Sequence, residues 1–400
     1  MNILLLSSFY PSMEGNKNVT PVVHYFAKEW VKLNHKVAVI HTVTEYPPLF
    51  YKLPKKLYKF IESVIGSSIQ FVRLAEKDYL LDGVSVFRLP IRKNKPYGDF
   101  SEKGIKEEYN KIITKLNSID FIPDVVIGHW ESPQILLVHL LKQKYKAKSV
   151  IVLHSLLYLN KNNKQNQYVQ LLREIDVIGF RSLALRNKFH KDFWSPKKDF
   201  ICYSGIPIDN AFIPHKKTFS EKLSSILYVG MLIKRKFPDK LLSAYVTYMK
   251  QNSGTATLKY IGEGALLRGL ENSACRSSFK TFITFYGRIS RENVFNMMQE
   301  TECFVMISQQ EAFGLVYLEA MLQGCLVIAS KNEGMDGIII DGENGFLCEA
   351  GNEKELLSTF ERIDKLPAQE KMRISANAVE TAMSFSEAKA AQSYLKAIKM

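Results

Sequence analysis

Cysteine is scarce in this chain: there are five in 400 residues, at Cys202, Cys275, Cys303, Cys325 and Cys348, and no two form a C-x-x-C pair. That excludes a disulfide framework and a zinc ribbon, and the mostly apolar segments around these thiols suit reduced, structural cysteines. Long apolar runs are missing too, and none reaches the ~20 residues a membrane-spanning helix needs. The start, Met1-Asn2-Ile3-Leu4-Leu5-Leu6, has no basic leader and breaks at Ser7-Ser8, so it is read as a first strand and the expected location is the cytoplasm. Fixed-period repeats and low-complexity stretches are absent, which removes solenoids and disordered tails.

What is present is a large apolar fraction, 46%, with a mean hydropathy of −0.10, enough to build more than one core. The net charge of +14 is uneven, with 31 Lys and Arg against 19 Asp and Glu in residues 1–210 and 23 against 21 in the rest. The first half therefore faces something anionic. A nucleic acid would meet such charge, but the densest cluster, Lys52, Lys55, Lys56 and Lys59, points elsewhere. On a helical wheel Leu53, Leu57, Phe60, Ile61 and Val64 form one face and the lysines the other, with Tyr51 and Tyr58 at the boundary. This pattern fits contact with an anionic membrane surface, or equally a surface helix packing its apolar face inward. No nucleic-acid partner is expected.

Apolar strands alternate with helical stretches throughout, so the class is α/β with parallel sheets. A first series runs through Ile3 to Ser7, Lys36 to Ile40, Val84 to Leu89, Asp124 to Ile127 and Ser149 to Leu153. After the turn-rich Gly205-Ile206-Pro207-Ile208-Asp209, a second series opens at Ser225 to Gly230 and continues through Leu258 to Ile261, Phe282 to Phe285, Cys303 to Ile307 and Leu326 to Ala329. The expected division is 1–208, 209–385 and a closing helix at 386–400 that crosses back to the first domain.

The most informative unit is Cys303 to Ala329. A short apolar strand is followed by a loop carrying Glu311, then by Gly314, then by Leu315, Leu318, Met321 and Leu322 at helical spacing, with Gly324 as the stop and Leu326 to Ala329 as the next strand. One carboxylate thus lies above the sheet and a second, Glu319, on the helix whose free amides face any bound anion. Such a set suits a ligand with hydroxyls and phosphates. Gly262-Glu263-Gly264 follows a strand in the manner of a dinucleotide motif, but Leu267 replaces the third glycine and a nicotinamide cofactor is not expected.

The run from Glu311 to Ala329, with Asp341 to Leu347 downstream, resembles the E-x7-E region of family 4 retaining glycosyltransferases, enzymes of bacterial polysaccharide biosynthesis. Ile3 to Pro11, Gly205 to Asp209, Leu227 to Gly230 and Ile261 to Gly264 resemble that family's other landmarks in order. The resemblance implies the GT-B architecture, two facing Rossmann-like domains with a cleft between them, the first binding acceptor and the second the nucleotide sugar. It implies transfer of a hexose-type sugar from a UDP- or GDP-sugar to a glycan such as a lipid-linked oligosaccharide at the inner face of the plasma membrane, for capsule or O-antigen. No cofactor or metal is implied, and the absence of D-x-D at a strand end agrees.

By the same resemblance Glu311 touches the donor sugar, Glu319 accepts the ribose hydroxyls and Lys236 takes the diphosphate, with Arg235, Gly230, Gly314, Phe313, Leu315 and Arg288 around the donor. Met231 stands where the family commonly has an arginine, so either Lys234 or Arg235 supplies the second charge or that charge is dispensed with. His154 matches a family histidine that contacts the donor sugar. His129, Gly15 and Asn16 are acceptor-side candidates, and Gly337 stands where the family has a glutamate. A non-catalytic scaffold of the same fold, and a glycoside hydrolase using the two carboxylates, are the alternatives.

Overall fold

The computed structural model describes residues 1–12, 21–54, 57–58, 61, 72–96, 98–156, 159, 165–208, 217–252 and 254–399. The chain forms two compact units. One comprises Met1–Arg181, Leu185–Gly205 and Glu387–Met400, and the other Ser182–Ala184 and Ile206–Ser386.

The first unit is built on eight strands: β1 (Asn2–Ser7), β2 (Lys36–Glu45), β3 (Lys77–Leu81), β4 (Val84–Arg92), β5 (Val125–His129), β6 (Lys148–Leu153), β7 (Val177–Phe180) and β8 (Asp199–Ile201), in the order β3-β4-β2-β1-β5-β6-β7-β8. All neighbours are parallel except the edge hairpin β3–β4. Strand alternation sorts the core into two layers. Leu4, Leu6, Ile40, Val126 and Ile151 join one cluster, while Ile3, Leu5, Val39, Ile127 and Val152 join the other. The helix Gln134–Tyr145 covers the first face with Ile135, Val138 and Leu141. The helix Val22–Lys32 covers the second, together with the C-terminal helix Glu387–Lys399, whose Ala391, Tyr394, Leu395 and Ile398 recur at helical spacing and are all buried. Trp30 Nε1 donates to the carbonyl of Ala391 at 2.9 Å, and Lys28 pairs with Glu387 at 2.6 Å.

The second unit carries six strands, all parallel: β9 (Ser225–Val229), β10 (Thr257–Ile261), β11 (Ile283–Phe285), β12 (Cys303–Val305), β13 (Leu326–Ser330) and β14 (Phe346–Cys348), ordered β11-β10-β9-β12-β13-β14. Two α/β units with parallel sheets are as the sequence led us to expect. The strands β3, β7, β8 and β14 were not anticipated, because β3 is polar and largely exposed and the other three have four, three and three residues. One expectation needs correcting. Tyr51 and Lys52 do not start a helix running to Val64: Pro48–Lys52 is a 3-10 turn and Leu53 is extended, with ψ 147°. Tyr58 turns inward, its hydroxyl donating to the carbonyl of Phe50 at 2.6 Å. Lys55, Lys56 and Lys59 lie outside the described residues.

Candidate functional site

In the second unit the outgoing ends of β9, β10 and β12 adjoin, and the loops that leave them build the site. After β12 the chain stays buried through Met306, Ile307 and Ser308, then passes Gln310 at φ 55° and reaches Glu311. A hypothetical Cβ on Gly314, at φ 85°, would sit 2.4 Å from the Tyr317 ring, so only glycine permits this entry into the helix Leu315–Leu322. The Tyr317 hydroxyl donates to the carbonyl of Met306 at 2.7 Å, which ties the helix to the end of the strand.

Glu311 is the electrostatic centre of this loop. Its Oε2 accepts from Ser308 Oγ at 3.2 Å, with Lys236 Nζ also at 3.2 Å and Arg235 Nη1 at 3.8 Å. Burial pushes its carboxyl up, but Lys236, Arg235 and the hydrogen bonds from Lys236 and Ser308 more than offset this and hold it below the ordinary 4.5. Both cations come from the short 3-10 turn Lys234–Lys236 after β9, and the carbonyl of Arg235 accepts from the amide of Gln309 at 2.7 Å, fastening the two loops together. Glu333 is a contributor that the sequence did not reveal: its Oε2 accepts from the amide of Glu311 at 2.8 Å. The neighbouring Gly334 packs so closely that a Cβ would stand 2.7 Å from the backbone of Phe313.

The Gly262-Glu263-Gly264 segment has a backbone explanation. Gly230 N donates to the carbonyl of Ile261 and Leu232 N to that of Glu263, both at 2.9 Å, so the loops after β9 and β10 run against each other. A Cβ on Gly262 would fall 1.9 Å from the Gly230 carbonyl oxygen, and one on Gly264 2.3 Å from that of Leu232. These glycines allow the 230–236 loop to be held where its cations reach Glu311. Gly230 itself would meet Lys236 Nζ at 3.5 Å if it carried a Cβ.

Glu319 is mostly buried on the helix Leu315–Leu322, and its Oε1 accepts from Arg291 Nη2 at 2.5 Å. Burial raises its carboxyl despite that partner. Arg291 opens the helix Arg291–Glu300 and went unnoticed in the sequence; its guanidinium also lies over Phe295 at 5.3 Å. Arg288 is exposed. Leu315 is half-buried, whereas the Phe313 side chain is buried, with the Phe385 ring 6.3 Å away. Phe313 can therefore meet a ligand only through its backbone. Met231 is 38% exposed, and its carbonyl accepts from Tyr228 Oη at 2.8 Å.

In the first unit the histidine that ends β5 and the one that follows β6 stand side by side. His129 Nδ1 lies 3.2 Å from His154 Nε2, and the His154 ring stacks on Trp130 at 4.1 Å. His129, expected on the acceptor side, is fully buried, with a relative exposure of 0%, and its ring meets His154. Glu131, also missed, accepts from the amides of His154 at 3.1 Å and Ser155 at 2.8 Å; burial pushes it up to about 7 against those bonds. Tyr10 Oη and Asp82 Oδ2 each lie 2.8 Å from a ring nitrogen of His24, anchoring the start of the loop after β1. Gly15 and Asn16, further along that loop, lie outside the described residues.

Two α/β units of this construction define the GT-B fold, and solved structures share it over the whole chain. A sucrose-phosphate synthase from Thermosynechococcus elongatus matches with a TM-score of 0.73 at 15% identity, covering 100% of this chain and 98% of that one. HepE from Anabaena, solved with UDP and glucose, matches with a TM-score of 0.68 at 17% identity, covering 100% and 99%. Residues 209–381 match the family model of the glycosyl transferases group 1. Among curated proteins, an uncharacterized glycosyltransferase of Methanocaldococcus jannaschii is 27% identical over 66% of this chain and 71% of its own length. Two further relatives are covered over 62% and 48% of their own lengths.

Proposed function

We propose that this chain is a retaining glycosyltransferase that moves a hexose-type sugar from a UDP- or GDP-sugar to a lipid-linked glycan, without a metal, in cell-surface polysaccharide biosynthesis. The observation that carries the reading is Glu311, held ionised beside Lys236 and Arg235 next to the free amides of the helix Leu315–Leu322. Two cations and a helix N-terminus suit a departing nucleoside diphosphate, whose charge grows as the bond from its β-phosphate oxygen to the anomeric carbon breaks. The acceptor oxygen forms the new bond on the same face, and its proton leaves on the phosphate. Arg235 takes the part that the family gives to the residue at Met231, which supports an active enzyme over a scaffold. Glu319 keeps one oxygen without a protein partner among the described residues, and that oxygen accepts a ribose hydroxyl. Solved neighbours that hold UDP and glucose, or UDP-2-fluoro glucose, support the donor class.

The test is a panel of nucleotide sugars assayed for slow hydrolysis without acceptor, in the wild type and in Lys236→Ala. We expect one donor to be turned over, and the variant to lose about 100-fold or more, the scale for removing one donor group from a site that stabilises developing charge. Turnover unchanged in Lys236→Ala removes the phosphate assignment, and no turnover of any donor with a full range of acceptors removes the enzyme.

A further inference from the structure

Three buried or half-buried groups in the first unit form one hydrogen-bonded line. Tyr394 Oη, on the C-terminal helix, lies 3.3 Å from His129 Nε2, and His129 Nδ1 lies 3.2 Å from His154 Nε2. The two contacts use both nitrogens of His129, so the protons along the line are coupled: fixing one fixes the others. Desolvation, with the nearby Arg181 charge, pushes His129 down to about 3 and His154 well below its usual range. Both rings are therefore neutral, and each holds one proton.

The direction of the line follows from Tyr394. Its ring packs among those of Phe26, Trp30 and Phe200, with centroid separations of 5.0, 5.1 and 5.0 Å, and His129 Nε2 is the one hydrogen-bond partner of its hydroxyl among the described residues. A buried hydroxyl proton needs an acceptor, and leaving it unmade costs more than making it gains. Tyr394 therefore donates to Nε2 of His129. The His129 proton then resides on Nδ1 and is donated to Nε2 of His154. His154 is left with its proton on Nδ1, the nitrogen that has no protein partner among the described residues.

We propose that Tyr394 is a positioning residue which, through His129, sets the tautomer of His154 so that His154 presents an Nδ1–H donor to a sugar oxygen. The ligand part rests on the glycosyltransferase reading above; the tautomer part does not. Trp130, stacked on the His154 ring, and Glu131, holding the His154 and Ser155 amides, fix the ring's plane and backbone, so the relay has to supply only the proton's location.

The test is the variant Tyr394→Phe, which keeps the ring packing and deletes the hydroxyl. Long-range proton–nitrogen NMR of histidine-labelled protein, with no substrate present, reads both tautomers. We expect His154 to be protonated on Nδ1 in the wild type and a mixed or reversed tautomer in the variant, with an unchanged KM for donor and kcat lower by about 10- to 100-fold, the range for partners that orient a working histidine. A wild-type His154 protonated on Nε2, or the same tautomer in both proteins, overturns the proposal. If the variant does not fold, the wild-type spectrum alone decides. If the tautomers shift as expected but no sugar is transferred by the wild type, the relay stands and the enzymatic reading falls.

Discussion

Glu311 and Glu319 lie eight residues apart in one βαβ unit, yet their surroundings push their carboxyls in opposite directions. At Glu311 the cations of Lys236 and Arg235 win over burial and the folded-state value lies below 4.5; at Glu319 burial wins over Arg291 and the value lies above it. The consequences for stability have opposite signs. A depressed acid stabilises the fold above its unfolded value and loses that contribution as pH falls through the folded one, so Glu311 supports the fold at neutral pH and ceases to do so in acid. A raised acid does the reverse, so ionising Glu319 costs stability as pH rises past 4.5. Glu311→Gln should therefore lower the melting temperature at pH 7, by about 1–3 kcal/mol of stability, since it strands the nearly buried Lys236. Glu319→Gln should leave it level or raise it slightly, because the freed Arg291 is 40% exposed at its side chain and can be solvated. Donor affinity should fall in both. Equal melting shifts in calorimetry at pH 7 would show that the two environments have been misjudged.

At the scale of elements, the loops after β9 and β10 make the clearest demand on sequence. Gly262→Ala would put a methyl group 1.9 Å from the Gly230 carbonyl oxygen, at a φ of 137° that L residues rarely adopt. The neighbour is backbone and cannot rotate away, so we expect a loss of more than about 3 kcal/mol, or a displaced 230–236 loop with Lys236 drawn off Glu311. Urea unfolding with a donor titration distinguishes these outcomes, and a variant that matches wild type in both refutes the crossing. The same loop shows what the sequence could convey. Spacing and apolar pattern exposed the Glu311–Glu319 unit, because strand, loop and helix are contiguous there. The role of Gly262 was hidden, since its partner Gly230 is thirty-two residues away and a backbone crossing leaves no periodic signal. Arg291, Glu333 and Tyr394 were hidden for the same reason, each reaching its carboxylate, amide or imidazole only after the chain has folded. The wheel drawn through Tyr51 and Leu53 missed a break for another: it took one continuous helix, whereas Leu53 is extended and, among the described residues, the helix holds only Leu57, Tyr58 and Ile61.

The whole molecule carries +14, and the excess sits in residues 1–210, which hold 31 Lys and Arg against 19 Asp and Glu. Among the described residues, no helix is long and apolar enough to cross a membrane. A lipid-linked acceptor would instead have to be met at a surface, and the first unit exposes apolar groups beside positive charge: Leu49 is 79% exposed and Leu57 41%, close in sequence to Lys52. Two exposed leucines add little alone, but an anionic leaflet contributes about 1 kcal/mol for each cation near it, and the two attractions act on the same stretch. We therefore expect binding to vesicles containing anionic lipid, weakening as salt shortens the reach of the charges, and weaker binding to neutral vesicles. Replacing Leu49 with Ser and Lys52 with Glu together should reduce vesicle binding while leaving acceptor-independent donor hydrolysis unchanged, because neither residue belongs to the second unit that holds Glu311 and Lys236. Flotation of wild type and variant on both vesicle types decides the matter: equal binding to neutral and anionic lipid, or none to either, would remove the membrane from the proposal and leave a soluble glycan as the acceptor.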